Sequence, residues 1–179
     1  RQMLGPIAVQ RYVEYARHVF DSGAHLLVQV EEMLDLSDAE SGKLTITRKH
    51  LKPGSLLSTS LETLIPFAAK SGVKLEIGGD MGSWPFIDAD AAKLQQSLTN
   101  IIHNAIKFTP ANGIVTVTGD CVGDLLKITV TDTGVGIRSE DLPLVVLPFH
   151  RRKPAFDAVY QGAGLGLPFA KTIIELHGG

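Results

Sequence analysis

Between residues 9 and 38, Ala16, Phe20, Gly23, Leu27, Val30 and Leu34 recur at alternating steps of four and three. This spacing holds one apolar stripe along a helix and predicts a coiled-coil-like seam. A lone helix of this kind cannot cover its own stripe, so the seam calls for a partner helix. The alternative is that the helix packs on the domain that follows. "LGP" at 4–6 reads as a turn before it, and "ESGKL" at 40–44 ends it. The segment 43–51 alternates as a strand, and 54–72 has helical periodicity with Pro66 expected to kink it. A short strand at 73–77, a loop over 78–86 and a further short strand near "FID" lead into a helix over 89–108. After the turn "ANG", "IVTVTG" and "LLKITVTD", joined by "DCVGD", predict an antiparallel hairpin. A Gly- and Pro-rich stretch follows, and "PFAKTIIELHGG" closes as a helix with Pro168 in its first turn. Without regular βαβ alternation, this order predicts an α+β, two-layer sandwich: a mixed sheet with helices on one face.

Length and composition narrow the reading only a little. The 179 residues suit one ordinary domain plus an appendage, and 44% hydrophobic with 20% charged residues is a globular composition. A net charge of −2 gives no case for general nucleic-acid binding. The single cysteine, Cys121, cannot form an internal disulfide, which fits a reducing compartment and a cytoplasmic location. No apolar run approaches the length of a membrane span, so no direct membrane contact by this segment is expected. Membrane anchoring of a longer protein stays open.

The helix over 89–108 carries the first candidate chemistry. Leu94, Leu98, Ile101, Ile102 and Ala105 share one face, and Lys93, Ser97, Asn100, Asn104 and Lys107 share another. Carboxamide oxygens suit a hard cation, and Mg²⁺ takes oxygen ligands in company with substrate phosphates. An ammonium beside them suits phosphate oxygens. Taken alone, the stripe reads equally well as a solvated helix face. "DTGVGI" at 132–137 places Asp132 at a strand end, where Gly134 and Gly136 permit close backbone approach or positive φ. "GAGLGL" at 162–167 precedes a helix and forms a natural phosphate cradle. A dinucleotide-binding fingerprint would need a strand directly before the glycines, and a P-loop would need Lys after Gly166, where Leu167 stands.

In combination and order, these elements resemble the ATP-binding domain of bacterial sensor histidine kinases, within the GHKL ATPase superfamily. "LTNIIHNAIKFT" matches the N box, "DTGVGI" the G1 box, "LPLVVLPFHR" the F box and "GAGLGLPFAKTIIELHGG" the G2 box. The long first helix resembles the second helix of a dimerisation and phosphotransfer domain, in the manner of the alphaproteobacterial cell-cycle kinases of PleC and DivJ type. The resemblance implies a Bergerat-type sandwich over 42–179 after a partial dimerisation domain over 1–41, with a homodimer formed through helix 9–38. It implies ATP and Mg²⁺ as cofactors, with Asn104 as metal ligand, Asn100 near the phosphates and Lys107 on phosphate. It gives Asp132 the adenine amino group as donor partner to a buried carboxylate, and Phe108 the pocket wall. Gly134, Gly136, Ile137, Arg151, Gly162, Gly164, Leu165 and Gly166 join the nucleotide contacts, the lid lying at about 150–161. The partner implied downstream is a response-regulator receiver domain.

Asn100 discriminates within the superfamily, and two departures from a working kinase qualify the resemblance. Hydrolytic members of the superfamily carry a Glu where this chain has Asn100, and an amide has no basicity to activate water. The site is therefore expected to hold ATP for transfer rather than to hydrolyse it. None of the six histidines is followed by an acid in the H-[ED]-x-x-x-P pattern of a phosphoacceptor. The acceptor is expected upstream of Arg1, and further closing strands are expected beyond Gly179. A degenerate kinase serving as an interaction module and a hydrolytic ATPase are the competing readings.

Overall fold

The computed structural model describes residues 10–122, 125–150 and 163–179. The apolar seam forms α1 (Gln10–Glu40), a helix of 31 residues. Phe20, Leu27, Val30 and Leu34 of the seam are all exposed, Phe20 to 74%. Glu32 and Leu36 are buried instead, at 4% and 7% exposure. Each lies two positions from Leu34, about 200° round the helix. The seam and the packed face are thus back to back, and the helix does pack on the domain that follows while keeping its seam open.

The expected strand over 43–51 shrinks to β1 (Lys49–Leu51). Upstream of it the Thr47 N–H donates to Asp90 Oδ2 at 2.9 Å, so that backbone is diverted from strand pairing to a side chain. Next come α2 (Pro53–Ser71) and β2 (Lys74–Gly78). α2 runs without interruption across Pro66, which lies on its exposed side. Gly72 stops the helix in the left-handed region, at φ 67°, where its N–H bonds back to the last turn. A single 3₁₀ turn (Met81–Ser83) precedes β3 (Ile87–Ala89) and α3 (Ala91–Phe108). The hairpin is β4 (Ile114–Val122) and β5 (Leu125–Asp132), and α4 (Gly166–His177) ends the chain.

Among the described residues two sheets form where one was expected. β1 and β3 make an antiparallel pair, and β2–β4–β5 make a mixed three-stranded sheet. β2 runs parallel to β4, and β4 antiparallel to β5. α2 and α3 cover the larger sheet. Leu57, Leu61 and Leu64 of α2 meet Ile102 and Ile106 of α3 over Val115 and Val117 of β4, all at 4% exposure or less. Phe67 stacks on His103 with ring centroids 4.5 Å apart, which fixes the slide of α2 along α3. α4 inserts Phe169 and Ile173, both fully buried, beside α3.

Candidate functional site

The site grows from the two ends of α3. At its start Asp90 is the N-cap, accepting the Lys93 N–H at 3.2 Å as well as the Thr47 N–H. Burial pushes its carboxyl up and is the largest single influence. The N–H groups of Thr47, Lys93 and Ala92 with the Lys93 charge together outweigh it, and the group settles below the ordinary Asp value. The Asp90 N–H donates to His177 Nε2 at 2.9 Å, while His177 Nδ1 bonds the Ile173 carbonyl at 2.7 Å. Arg48 closes the same corner by donating to the Leu176 carbonyl at 2.8 Å. The end of α4 is thereby tied to the start of α3, which sets where the start of α4 falls.

The stripe of α3 is not uniform. Ser97 is turned inward, at 1% exposure, its hydroxyl satisfied by the Lys93 carbonyl of its own helix. Ile101, expected in the core, is half-buried, and Ile106 takes a fully buried place. Asn100, Asn104 and Lys107 remain half-buried along the edge. Asn100 reaches two elements. Its Nδ2 donates to Glu32 Oε1 of α1 at 2.7 Å, and a Cβ at Gly166 would stand 3.3 Å from its Cγ. The third glycine of the G2 motif therefore lets the first turn of α4 lie against Asn100.

At the far end of α3 the chain meets the G1 loop. The Phe108 carbonyl accepts the Val135 N–H at 3.3 Å. Gly134 threads between that carbonyl and Asp132: a Cβ there would lie 2.5 Å from Phe108 O and 2.6 Å from Asp132 Oδ1. No side chain fits. Asp132 is exposed, contrary to the expected burial, because it caps the loop itself, accepting the Gly134 N–H at 2.8 Å. Its second oxygen is left for another donor. Lys107 Nζ stands 5.2 Å from the Phe108 ring centroid, a cation–π distance. Ile137 is 50% exposed beside this loop. Gly136 and Gly164 adopt φ of 66° and 73°, in the left-handed region that glycine permits. Leu165 is a core side chain at 3% exposure, so only its backbone can face a ligand. Arg151 and Gly162, with the lid expected over 150–161, lie outside the described residues apart from His150.

The donor set fits a metal shared with phosphates better than one caged by protein. Among the described residues no group of three or more His, Cys, Asp or Glu could hold a metal ion. What the edge of α3 offers is carboxamide oxygen, which suits Mg²⁺ when phosphates and water complete its shell, with an ammonium one turn on that suits the phosphate oxygens themselves. Sequence reasoning missed Glu32, Asp35 and Gln96. The Gln96 Nε2 donates to Glu32 Oε1 at 3.3 Å, and the Lys93 ammonium is ion-paired with Asp35. A pairing between helices 58 to 68 positions apart leaves no periodic signal in a single chain. A groove lined by Leu36, Ala39, Pro148 of the F box and Pro168, Lys171 and Glu175 of the G2 box lies between α1 and α4 and includes none of the residues expected on the nucleotide.

Comparison with known proteins bears on this arrangement directly. The family described as histidine kinase-, DNA gyrase B-, and HSP90-like ATPase matches residues 89–179, the half of the chain that holds α3, the hairpin and α4. The non-motile and phage-resistance protein of Caulobacter vibrioides is 38% identical over 99% of this chain and 21% of its own length. Histidine protein kinase DivJ of the same organism is 35% identical over 99% of this chain and 29% of its own. The chain thus spans between about a fifth and a third of the length of the curated relatives it matches. The crystal structure of full-length ShkA in complex with AMPPNP aligns with 96% of this chain and 35% of that one, at 26% identity and a TM-score of 0.73. No helix of the described residues is long and apolar enough to cross a membrane. The chain belongs to the histidine kinase-, DNA gyrase B-, and HSP90-like ATPase family and carries an ATP-binding domain of the sensor histidine kinase type.

Proposed function

We propose that this domain binds ATP with Mg²⁺ and presents the γ-phosphoryl group to a histidine, from which it passes to an aspartate of a response-regulator receiver domain. The observation that supports this most is convergence. Gly166 lies against Asn100, and Gly134 lies against the Phe108 carbonyl, so three motifs far apart in sequence share one edge of α3. In this reading Asp132 accepts the adenine amino group through the oxygen that Gly134 leaves free. Phe108 offers a ring face, Asn104 an oxygen to the metal and Lys107 a charge to the phosphates. Bound Mg²⁺ would supply neutralisation of phosphate charge, which with positioning makes up most of the catalysis of phosphoryl transfer. Asn100, an amide, withholds a base from water.

The receiving histidine is none of the six in the sequence, since none is followed by an acid. The exposed seam of α1, with Phe20, Leu27, Val30 and Leu34, is the surface for a second copy, and the domain works in the cytoplasm. Calorimetric titration of the folded protein with ATP and Mg²⁺ tests the first step: a saturable heat is expected, and its absence overturns the reading. Adding a separately supplied histidine-bearing dimerisation helix tests the second. Label from γ-phosphate on that helix is the expected result. Release of inorganic phosphate without labelling would favour a hydrolytic ATPase, and binding without either would favour an interaction module.

A further inference from the structure

Glu32 is a buried carboxylate that the proposed chemistry does not use. It is 4% exposed, and one oxygen takes two amide donors from successive turns of α3: Asn100 Nδ2 at 2.7 Å and Gln96 Nε2 at 3.3 Å. No Lys, Arg or His among the described residues pairs with it, and the nearby Lys93 is held by Asp35. A carboxylate only accepts, so it dictates which end of each carboxamide faces it. The NH₂ of Asn100 is committed to Glu32, and Oδ1 is turned away from it. An amide free to flip could offer its NH₂ to a phosphate oxygen or its oxygen to a cation and the water it carries. Held by Glu32, it has one of its two N–H donors spent and its oxygen fixed on the side away from the carboxylate.

We propose that Glu32 is a positioning residue, supplied by the long helix, which fixes the Asn100 carboxamide with its oxygen outward and makes nucleotide binding depend on magnesium. The inference rests on the nucleotide reading given above. Two effects act in the same direction. The fixed amide, with one of its two N–H donors spent on Glu32, has one fewer for bare phosphate, and the buried negative charge repels a triphosphate that arrives without its cation. Metal-free nucleotide is thereby disfavoured and the magnesium complex favoured. The neighbouring Asp35–Lys93 pair joins the same two helices without touching Asn100, which separates positioning from mere docking.

The test is calorimetry with a non-hydrolysable ATP analogue, once in EDTA and once across a magnesium series, on the wild type, Glu32→Gln and Asp35→Asn. Glu32→Gln is expected to raise the magnesium concentration for half-maximal binding about 10-fold, the size of other outer-shell effects on metal affinity. It is also expected to tighten metal-free binding about threefold or more, as a nearby negative charge is removed. Asp35→Asn is expected to match the wild type in both series. Glu32→Asp, which keeps the charge, is expected to hold the metal-free affinity at the wild-type level. This variant carries the test if Glu32→Gln does not fold by circular dichroism. Glu32→Gln without change, or weakening in both series alongside Asp35→Asn, overturns the proposal while leaving nucleotide binding intact. A wild type that binds in neither series overturns the nucleotide reading, and this one with it.

Discussion

α3 is packed on two sides by different chemistry. Toward α2 and the sheet it presents Ile102 and Ile106, sealed by Leu57, Leu61, Val115 and Val117, and all of these are 3% exposed or less. Toward α1 it presents Lys93, Gln96 and Asn100 to Asp35 and Glu32, while Leu36, buried on the same side of α1, lies by Pro168 and Lys171 of α4. Apolar burial is strong and non-directional, at about 25 cal/mol per Å². Polar pairs are weak in net terms, because each partner gives up water, but they are strict about geometry. The first interface therefore makes the domain, and the second sets where the long helix rests on it. A helix held this way can be released without unfolding what it rests on.

Deleting methylenes from the dry side has the largest expected effect. Ile106→Ala should lower stability by about 2–5 kcal/mol in chemical denaturation, the range for large-to-small changes in a core. The affinity of the protein that remains folded should hardly move. A loss below about 1 kcal/mol would break the contrast, because it would mean that the core near Ile106 is no better packed than a surface. The site itself should behave in the opposite way. Asp132→Ala removes an exposed carboxylate that supports only its own loop through Gly134, so the denaturation midpoint should stay close to wild type. Adenine-nucleotide affinity by calorimetry should fall about ten- to a hundredfold, the worth of one charge-assisted hydrogen bond. An unchanged affinity would remove Asp132 from the site.

The contrast also explains what could be seen in advance. The hairpin, α2 and the apolar face of α3 were legible because burial on one side of an element imposes a period on its own residues. The glycines were legible for a related reason: at Gly134 a Cβ would strike the Phe108 carbonyl and at Gly166 it would crowd Asn100, and a chain can record a need for room only by omitting the side chain. Ser97 misled because a hydroxyl bonded to its own helix looks polar in sequence yet sits in the core. The strand over 43–51 was overdrawn because alternation cannot show that Thr47 bonds a side chain 43 residues away. Glu32 was invisible for the same reason. It reads as one acid in the run "EEMLD", and nothing local separates it from Glu31, which is exposed.

Between the two interfaces lies the corner where α3 begins. Asp90 caps the helix and holds Thr47, and its carboxyl is lowered on folding chiefly because three N–H groups outweigh the cost of burial. A depressed carboxyl stabilises the fold at every pH above its unfolded value, about 3.9, and that contribution fades as pH falls through the lower folded value. Asp90→Ala should therefore cost about 1 kcal/mol near neutral pH, as lost caps do. The gap from wild type in thermal denaturation should narrow below about pH 4. A gap that stays constant down to pH 2 would mean that the cap acts through packing rather than charge.

The smallest effect belongs to the α1 side. Asp35 and Lys93 form an ion pair whose side chains are 16% and 26% exposed, with the ammonium also 5.9 Å from the Phe169 ring centroid. Partial burial keeps water from screening it fully, but both groups were desolvated to make it, so the net gain is about 1 kcal/mol or less. Asp35→Asn should shift global denaturation by no more than about 1 kcal/mol, because α2, α3 and the sheet do not depend on it. Hydrogen exchange should show the difference where denaturation does not. Amides at the end of α1, around Leu36 to Glu40, should exchange faster by about fivefold, the kinetic image of a docking equilibrium loosened by that energy. Amides of α3 facing Ile102 and Ile106 should keep wild-type protection. Faster exchange in both places would show that the long helix and the domain open together, and that the two sides of α3 form one cooperative unit after all.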